Sequence, residues 1–112
     1  MFSQRDIVLV QFPFTDLSGS KLRPALIIPG KEVNSIHEFV CIQITSKIFS
    51  DNFFLLLNDL DVFTPLKLTS GIRLHKFFTV NESLVNRKIS ELKSESFQKV
   101  MENISDKILK KD

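Results

Sequence analysis

Two apolar runs near the start of the chain constrain its fold more than any other feature. Ile7-Val8-Leu9-Val10-Gln11-Phe12 is followed by Pro13 and Phe14, then by the polar stretch Thr15-Asp16-Leu17-Ser18-Gly19-Ser20. Arg23-Pro24 then opens a second run, Ala25-Leu26-Ile27-Ile28. Runs this short, rich in β-branched residues and bounded by proline, glycine and serine, predict two buried strands. The connection is too long for a tight hairpin turn, and a loop held between rigid strands is a place for functional groups. Arg23 stands where that loop meets the second strand, and Pro24 biases it toward extended backbone. A guanidinium fixed at a strand mouth suits phosphate or carboxylate, because its planar fork binds two oxygens and keeps its charge. The same position equally suits a rim arginine paired with Asp6 or Asp16.

With 112 residues the chain is expected to form one domain over 1–112, burying roughly 65% of its unfolded surface and folding without staples. Eleven phenylalanines and neither tyrosine nor tryptophan predict a core filled by rings without a polar handle. A single cysteine, Cys41, has no internal partner for a disulfide, which points to a reducing compartment. No histidine stands near it in sequence, so it reads as a small buried apolar residue rather than a nucleophile. The opening Met1-Phe2-Ser3-Gln4 lacks the apolar stretch of a signal peptide, and no run is long enough to span a membrane. A cytoplasmic protein without a membrane partner is expected.

Net charge is only +2. Its distribution is uneven. Between Lys67 and Lys93, six basic residues (67, 73, 76, 87, 88, 93) face two acids (82, 91), a local excess of +4, while nine basic and eleven acidic residues make up the remainder.

Downstream, Pro29 to Ile36 has turn formers and no periodicity, which predicts a loop. Glu38 to Ser46 alternates: Val40, Ile42 and Ile44 form a core face, with Phe39, Cys41, Gln43 and Thr45 on the other. Thr45 then ends a strand beside Ser46 and Lys47, where hydroxyls and a cation could meet a ligand, although threonine is also common in strands for packing alone. Lys47–Asn52 reads as a loop, Phe53–Leu57 as a strand and Asn58–Asp61 as a turn whose two aspartates lack the rest of a calcium loop. From Gly71 to Val80, strict alternation puts Arg73, His75 and Phe77 in a row, either a solvated face or a platform for single-stranded nucleic acid. Asn81 is a candidate cap for a helical turn over Glu82–Arg87, and Lys88–Leu92 a candidate strand. Ser94 is expected to cap a terminal helix with Phe97, Val100, Met101, Ile104 and Ile108 on one apolar face, a core stripe, and with Lys107, Lys110 and Lys111 at its negative end.

Asp6-Ile7-Val8-Leu9-Val10, Phe12-Pro13-Phe14, Gly19-Ser20, Arg23-Pro24-Ala25-Leu26-Ile27-Ile28, Ile44-Thr45-Ser46 and the stretch from Thr79-Val80 to Leu92 resemble the PemK/MazF family of toxin endoribonucleases from bacterial type II toxin–antitoxin systems. The resemblance implies an α+β, mainly β fold, a small SH3-like barrel of five to six strands with a C-terminal helix. It implies a metal-independent, homodimeric endoribonuclease that cleaves single-stranded RNA by attack of the ribose 2′-hydroxyl on the adjacent phosphate, and an antitoxin protein that inhibits it. Arg23 and Thr45 match two residues these toxins use at the scissile phosphate. His75 occupies a position where some relatives carry an aspartate, and is the candidate proton shuttle, since an arginine hardly deprotonates. Phe14, Ser20, Lys21, Ser46, Lys47, Arg73 and Phe77 are the candidate RNA contacts. No cofactor and no metal is expected: His37 and His75 are far apart in sequence, and His37 is expected to stay solvated.

Three positions depart from the family pattern. The glutamate that some members carry shortly before the arginine is absent from Ser20-Lys21-Leu22, where Lys21 would add to phosphate binding. Ser90 and Arg5 stand where glycine is frequent, which bears on backbone geometry more than on chemistry. Two other readings stay open: a CcdB-like poison that binds a topoisomerase through its terminal helix without cleaving anything, and a catalytically silent binding barrel.

Overall fold

The computed structural model describes residues 2–13 and 20–112. Both apolar runs become strands, β1 (Asp6–Pro13) and β2 (Ser20–Ile27), paired antiparallel with Val10 opposite Arg23. One helical turn, α1 (Lys31–Asn34), interrupts the expected loop and leads to β3 (Glu38–Thr45). After β4 (Phe54–Leu57) come the long β5 (Ser70–Asn81) and β6 (Val85–Glu91), and the chain ends in α2 (Ser94–Asn103). The strands form one antiparallel sheet in the order β4-β5-β3-β2-β1-β6. No described helix is long and apolar enough to cross a membrane.

Both faces of the central strands are covered, which is why their sequences read as near-continuous apolar runs. One face carries Ile7, Leu26, Ile42, Ile44, Ile72 and Leu74, with Leu92, Val100 and Ile104 packed among them. The other carries Val8, Val10, Ala25, Ile27, Phe39, Cys41 and Val80, under Val85 and Phe2. Phe39 and Cys41, expected on a mixed face, are thus fully interior, and the edge of the Phe39 ring meets Phe2 at 6.2 Å between centroids. Burial pushes the Cys41 thiol up to about 12, so it stays protonated and inert at neutral pH.

The sheet does not close strand to strand. Its edges are joined instead by the segment after β4: an isolated antiparallel bridge links Val62 to Leu92, the Phe63 amide donates to the Glu91 carbonyl, and the Lys93 amide donates to that of Asp61. Ser90, buried in β6, adds a two-way tie: its hydroxyl donates to the Thr64 carbonyl at 2.7 Å and accepts from the Thr64 amide at 3.1 Å. Arg5, the other residue standing where glycine is frequent, does adopt left-handed backbone, at φ 78°. Hydrogen bonds hold it there: its amide donates to the Ile27 carbonyl, and its own carbonyl accepts from the Leu92 amide.

The helical stripe packs as expected, with Val100 and Ile104 buried and Phe97, Met101 and Ile108 against the first core. Lys93, not Ser94, precedes the first turn, because its amide is held by Asp61 and Ser96 donates to the Asp61 carboxylate at 2.7 Å. Past Asn103 the helix widens into a π turn over Ile104–Ile108. The turn after Asn81 is shorter than expected, Glu82–Leu84, with the Asn81 side chain accepting from the Ser83 amide. Pairing with β1 claims the chain from Val85 onward.

Continuous alternation fails in β5. Ile42 of β3 pairs with Phe77 and Ile44 pairs with Ile72, so β3 advances two residues while β5 advances five. An odd number of extra residues inverts parity. Ile72 and Leu74 therefore enter the first core, while Phe78 and Val80 turn to the second. Just before this bulge, Thr45 is opposite Gly71, and Gly71 is opposite Leu56. Gly71 is required there by space, since a Cβ would lie 2.2 Å from the tip of the Phe54 ring.

Two stability measurements check these points. Ser90→Ala removes both ties to Thr64 within a buried site and is expected to lower unfolding free energy by about 1–3 kcal/mol in urea. Gly71→Ala forces the Phe54 ring aside and is expected to destabilise by about 1–3 kcal/mol, the range for overpacking; an unchanged denaturation midpoint would show that the ring moves freely.

Candidate active site

The β2–β3 ladder runs from Ile27 opposite Cys41 to Ala25 opposite Gln43, and Arg23 and Thr45 each stand two residues past that last pair, at the same end of the two strands. Val10 is opposite Arg23 on the other side, and Gly71 opposite Thr45. Arg23 is thus fixed by its pairing with Val10 and Thr45 by its pairing with Gly71, and the two residues, distant in sequence, are brought to one region of the sheet.

Arg23 and Thr45 both line a cavity of about 510 Å³, together with Ser46, Thr64, Pro65, Lys67 and, from β6, Arg87 and Lys88. Its apolar wall includes Leu9, Leu22, Pro24, Ile44 and Leu66. The lining holds four cations (Arg23, Lys67, Arg87, Lys88) and, among the described residues, no carboxylate. Lys88 is anchored by Glu91 at 2.9 Å and Asp6 at 3.1 Å, and these hydrogen bonds raise its pKa. Arg23 is half-buried and engaged in an interaction of its own. The Thr45 hydroxyl accepts from the Lys47 amide at 3.1 Å, which leaves its proton available to a ligand. Cations over apolar walls, with hydroxyls between them, give the cavity a positive potential that suits an anionic ligand.

Sequence reasoning singled out neither Lys67, Arg87 nor Lys88 as site residues. The local charge excess between Lys67 and Lys93 was their signal, and what it lacked was the fold that turns those three toward Arg23.

The row Arg73, His75, Phe77 does not form a solvated platform. Arg73 is only 6% exposed and makes a bidentate ion pair with Asp51, its Nη1 at 2.9 Å from Oδ1 and Nη2 at 3.2 Å from Oδ2. The guanidinium also lies 3.8 Å from the Phe49 ring centroid. The hydrogen bond from Arg73, then that from the Phe53 amide, hold the Asp51 carboxyl below the usual range. His75 is exposed, its ring 5.5 Å from that of Phe53, and is not among the residues lining the cavity. Phe77 is 40% exposed and also lies outside the lining, as do Lys21 and Lys47. Phe14 falls outside the described residues, as does the side chain of Ser20. His37 is exposed, with Nδ1 2.8 Å from a Glu82 carboxylate oxygen. Among the described residues no cluster of three or more His, Cys, Asp or Glu side chains could hold a metal ion.

The fold is that of known toxins. The model superimposes on a MazE–MazF complex from Deinococcus radiodurans with a TM-score of 0.77 at 15% identity, covering 94% of this chain and 93% of that one. An endoribonuclease in complex with its cognate antitoxin, from a mycobacterial species, matches at 0.75 and 13% identity over 95% and 93% of the two chains. The Mycobacterium tuberculosis toxin MazF-mt6 matches at 0.73 and 19% over 91% and 94%. No curated protein matches by sequence. The sequence model for the PemK-like, MazF-like toxins of type II toxin–antitoxin systems matches residues 3–108. With nearly its whole length matched, the chain belongs to the PemK-like, MazF-like toxin family.

Proposed function

We propose that this protein is an endoribonuclease toxin that cleaves single-stranded RNA without a metal, works as a homodimer and is held inactive by an antitoxin protein. The observation that carries this reading is that Arg23 and Thr45 line one cavity whose charged side chains, among the described residues, are all cations. Family membership and the antitoxin-bound state of two fold relatives support it.

RNA brings its own nucleophile. The ribose 2′-oxygen attacks the adjacent phosphorus and loses its proton to water, the bond from phosphorus to the 5′-oxygen breaks, and that oxygen takes up a proton from water. The products are a 2′,3′-cyclic phosphate and a 5′-hydroxyl end. Negative charge grows on the non-bridging oxygens during the attack. Arg23 stabilises it with a charge already in place, which is commonly the largest catalytic contribution, and Thr45 adds a neutral donor beside it. Lys67 and Arg87 hold the flanking phosphates, and Lys88, itself anchored by Asp6 and Glu91, adds to the positive edge of the cavity. His75 lies outside this lining, and the proton transfers are assigned to water.

Incubation with mixed-sequence RNA in EDTA tests the reading. Wild-type protein is expected to cleave, leaving cyclic phosphate ends. Arg23→Ala should lower the rate by roughly a hundredfold to a thousandfold, and Thr45→Ala by roughly tenfold. His75→Gln should match wild type in rate and pH dependence. Intact RNA at high protein concentration would refute the nuclease. Lys67→Ala and Arg87→Ala should each weaken RNA binding and reduce the slope of log affinity against log salt by about 0.7, the value for one phosphate contact on a single strand. Unchanged slopes would remove these residues from the RNA path.

A further inference from the structure

We propose that Arg73 is a positioning residue for the cleavage above: by clamping Asp51 and Phe49 it fixes the loop 46–53 and so sets the Thr45 hydroxyl for the RNA phosphate. The inference rests on the proposed nuclease reading and adds a second layer to its site.

Arg73 follows Ile72, the first β5 residue of the bulge, so no β3 residue pairs with it. Its guanidinium turns to the β3–β4 loop instead. A buried cation needs a partner, and an arginine kept in the interior is poor evidence for stability as such, because apolar side chains of similar volume often serve as well. What this arginine does supply is geometry. It grips the Asp51 carboxylate with two nitrogens and lies over the Phe49 ring. Asp51 in turn accepts from the Phe53 amide at 2.9 Å, and Lys47 Nζ sits 5.1 Å from the centroid of Phe49.

Few other anchors hold this loop, since Ile48 is 59% exposed and Ser50 and Asn52 face solvent. The clamp connects directly to Thr45. The Phe49 ring meets Phe54 at 6.0 Å, and Phe54 fills the space above Gly71, the cross-strand partner of Thr45. From the other side, the Lys47 amide donates to the Thr45 hydroxyl. Loosening the loop therefore disturbs both the packing beside Thr45 and the hydrogen bond that orients it. Arg73 itself lies outside the cavity lining and touches no substrate.

Steady-state cleavage of an RNA oligonucleotide by wild type, Asp51→Asn, Arg73→Met and Arg73→Lys decides the matter, alongside melting curves and amide exchange. Asp51→Asn and Arg73→Met are expected to lower kcat about tenfold to a hundredfold, the scale of a small misplacement, while KM stays within about twofold. Amide exchange should accelerate over 46–53 and not in the first core. Arg73→Lys, which keeps the charge but not the fork, should recover only part of kcat. Should Arg73→Met fail to fold, Asp51→Asn at an exposed position decides alone. Wild-type kcat in Asp51→Asn with a faster-exchanging loop would overturn the inference and leave the nuclease reading intact. An inactive wild type would overturn both.

Discussion

The antiparallel register of β2 against β3 is the constraint on which the site depends. Leu26 faces Ile42 in one core, and Ala25 and Ile27 sit with Cys41 in the other. A slip of one residue would exchange the two faces, pressing larger side chains into the space filled by Ala25 and Cys41 and opening a void on the other side. Because both faces are packed, the register has one solution. That solution brings Arg23, within β2, and Thr45, the last residue of β3, to one cavity, where core packing gives way. The same contacts that stabilise the sheet thus define the distance between the two groups proposed to act on phosphate, with rigid strands rather than loops holding them.

Beyond Thr45 the sheet changes character. β5 keeps its ladder with β3 as far as Ile72, bulges by three residues, and resumes at Phe77 with the opposite face inward. Bulges re-aim side chains, and this one frees Arg73 from pairing with β3, while its backbone stays paired with Phe54 of β4 and its side chain turns to the loop. Gly71, without a side chain, lets the Phe54 ring settle beside Thr45. A small omission at one position and three extra residues at the next few convert a plain strand into the support of a loop.

How much of this was legible beforehand depends on the range of the interaction. The strands, the helical stripe and the Arg23–Thr45 site match rest on local pattern and family resemblance, and the strand and stripe patterns recur in the structure. Asn81 was legible as a cap, though the turn it caps ends at Leu84 because pairing of β6 with β1 prevails over local helical preference. The β5 bulge was not legible, since alternation from Gly71 to Val80 is continuous in the sequence and nothing local announces the extra residues. Hence Arg73, His75 and Phe77 looked like one row. The pairing of Arg73 with Asp51 also escaped, because two residues that far apart leave no periodic trace. Charge excess between Lys67 and Lys93 pointed to the right segment, but it counted Arg73, which is neutralised inside, equally with Arg87, which reaches the cavity.

The cavity has two walls, and the chain holds them by different means. The Thr45 side rests on an aromatic and ionic stack around Arg73. The Thr64–Lys67 side rests on the hydrogen bonds that join the segment after β4 to Ser90, Glu91 and Lys93. A glycine in place of Ser90 would leave the Thr64 backbone without its hydroxyl partner, so Ser90 ties down this wall of the cavity. The missing loop glutamate before Arg23 belongs to the same pattern. With four cations in the lining and a hydroxyl beside the arginine, the charge complementarity a phosphate needs is supplied from strands β2, β3 and β6 and from Lys67, and a carboxylate among them would offset part of it. The supports around the site are thus this chain's own local ties, while Arg23 and Thr45, the groups proposed to face the phosphate, sit where strands fixed by core packing reach the cavity.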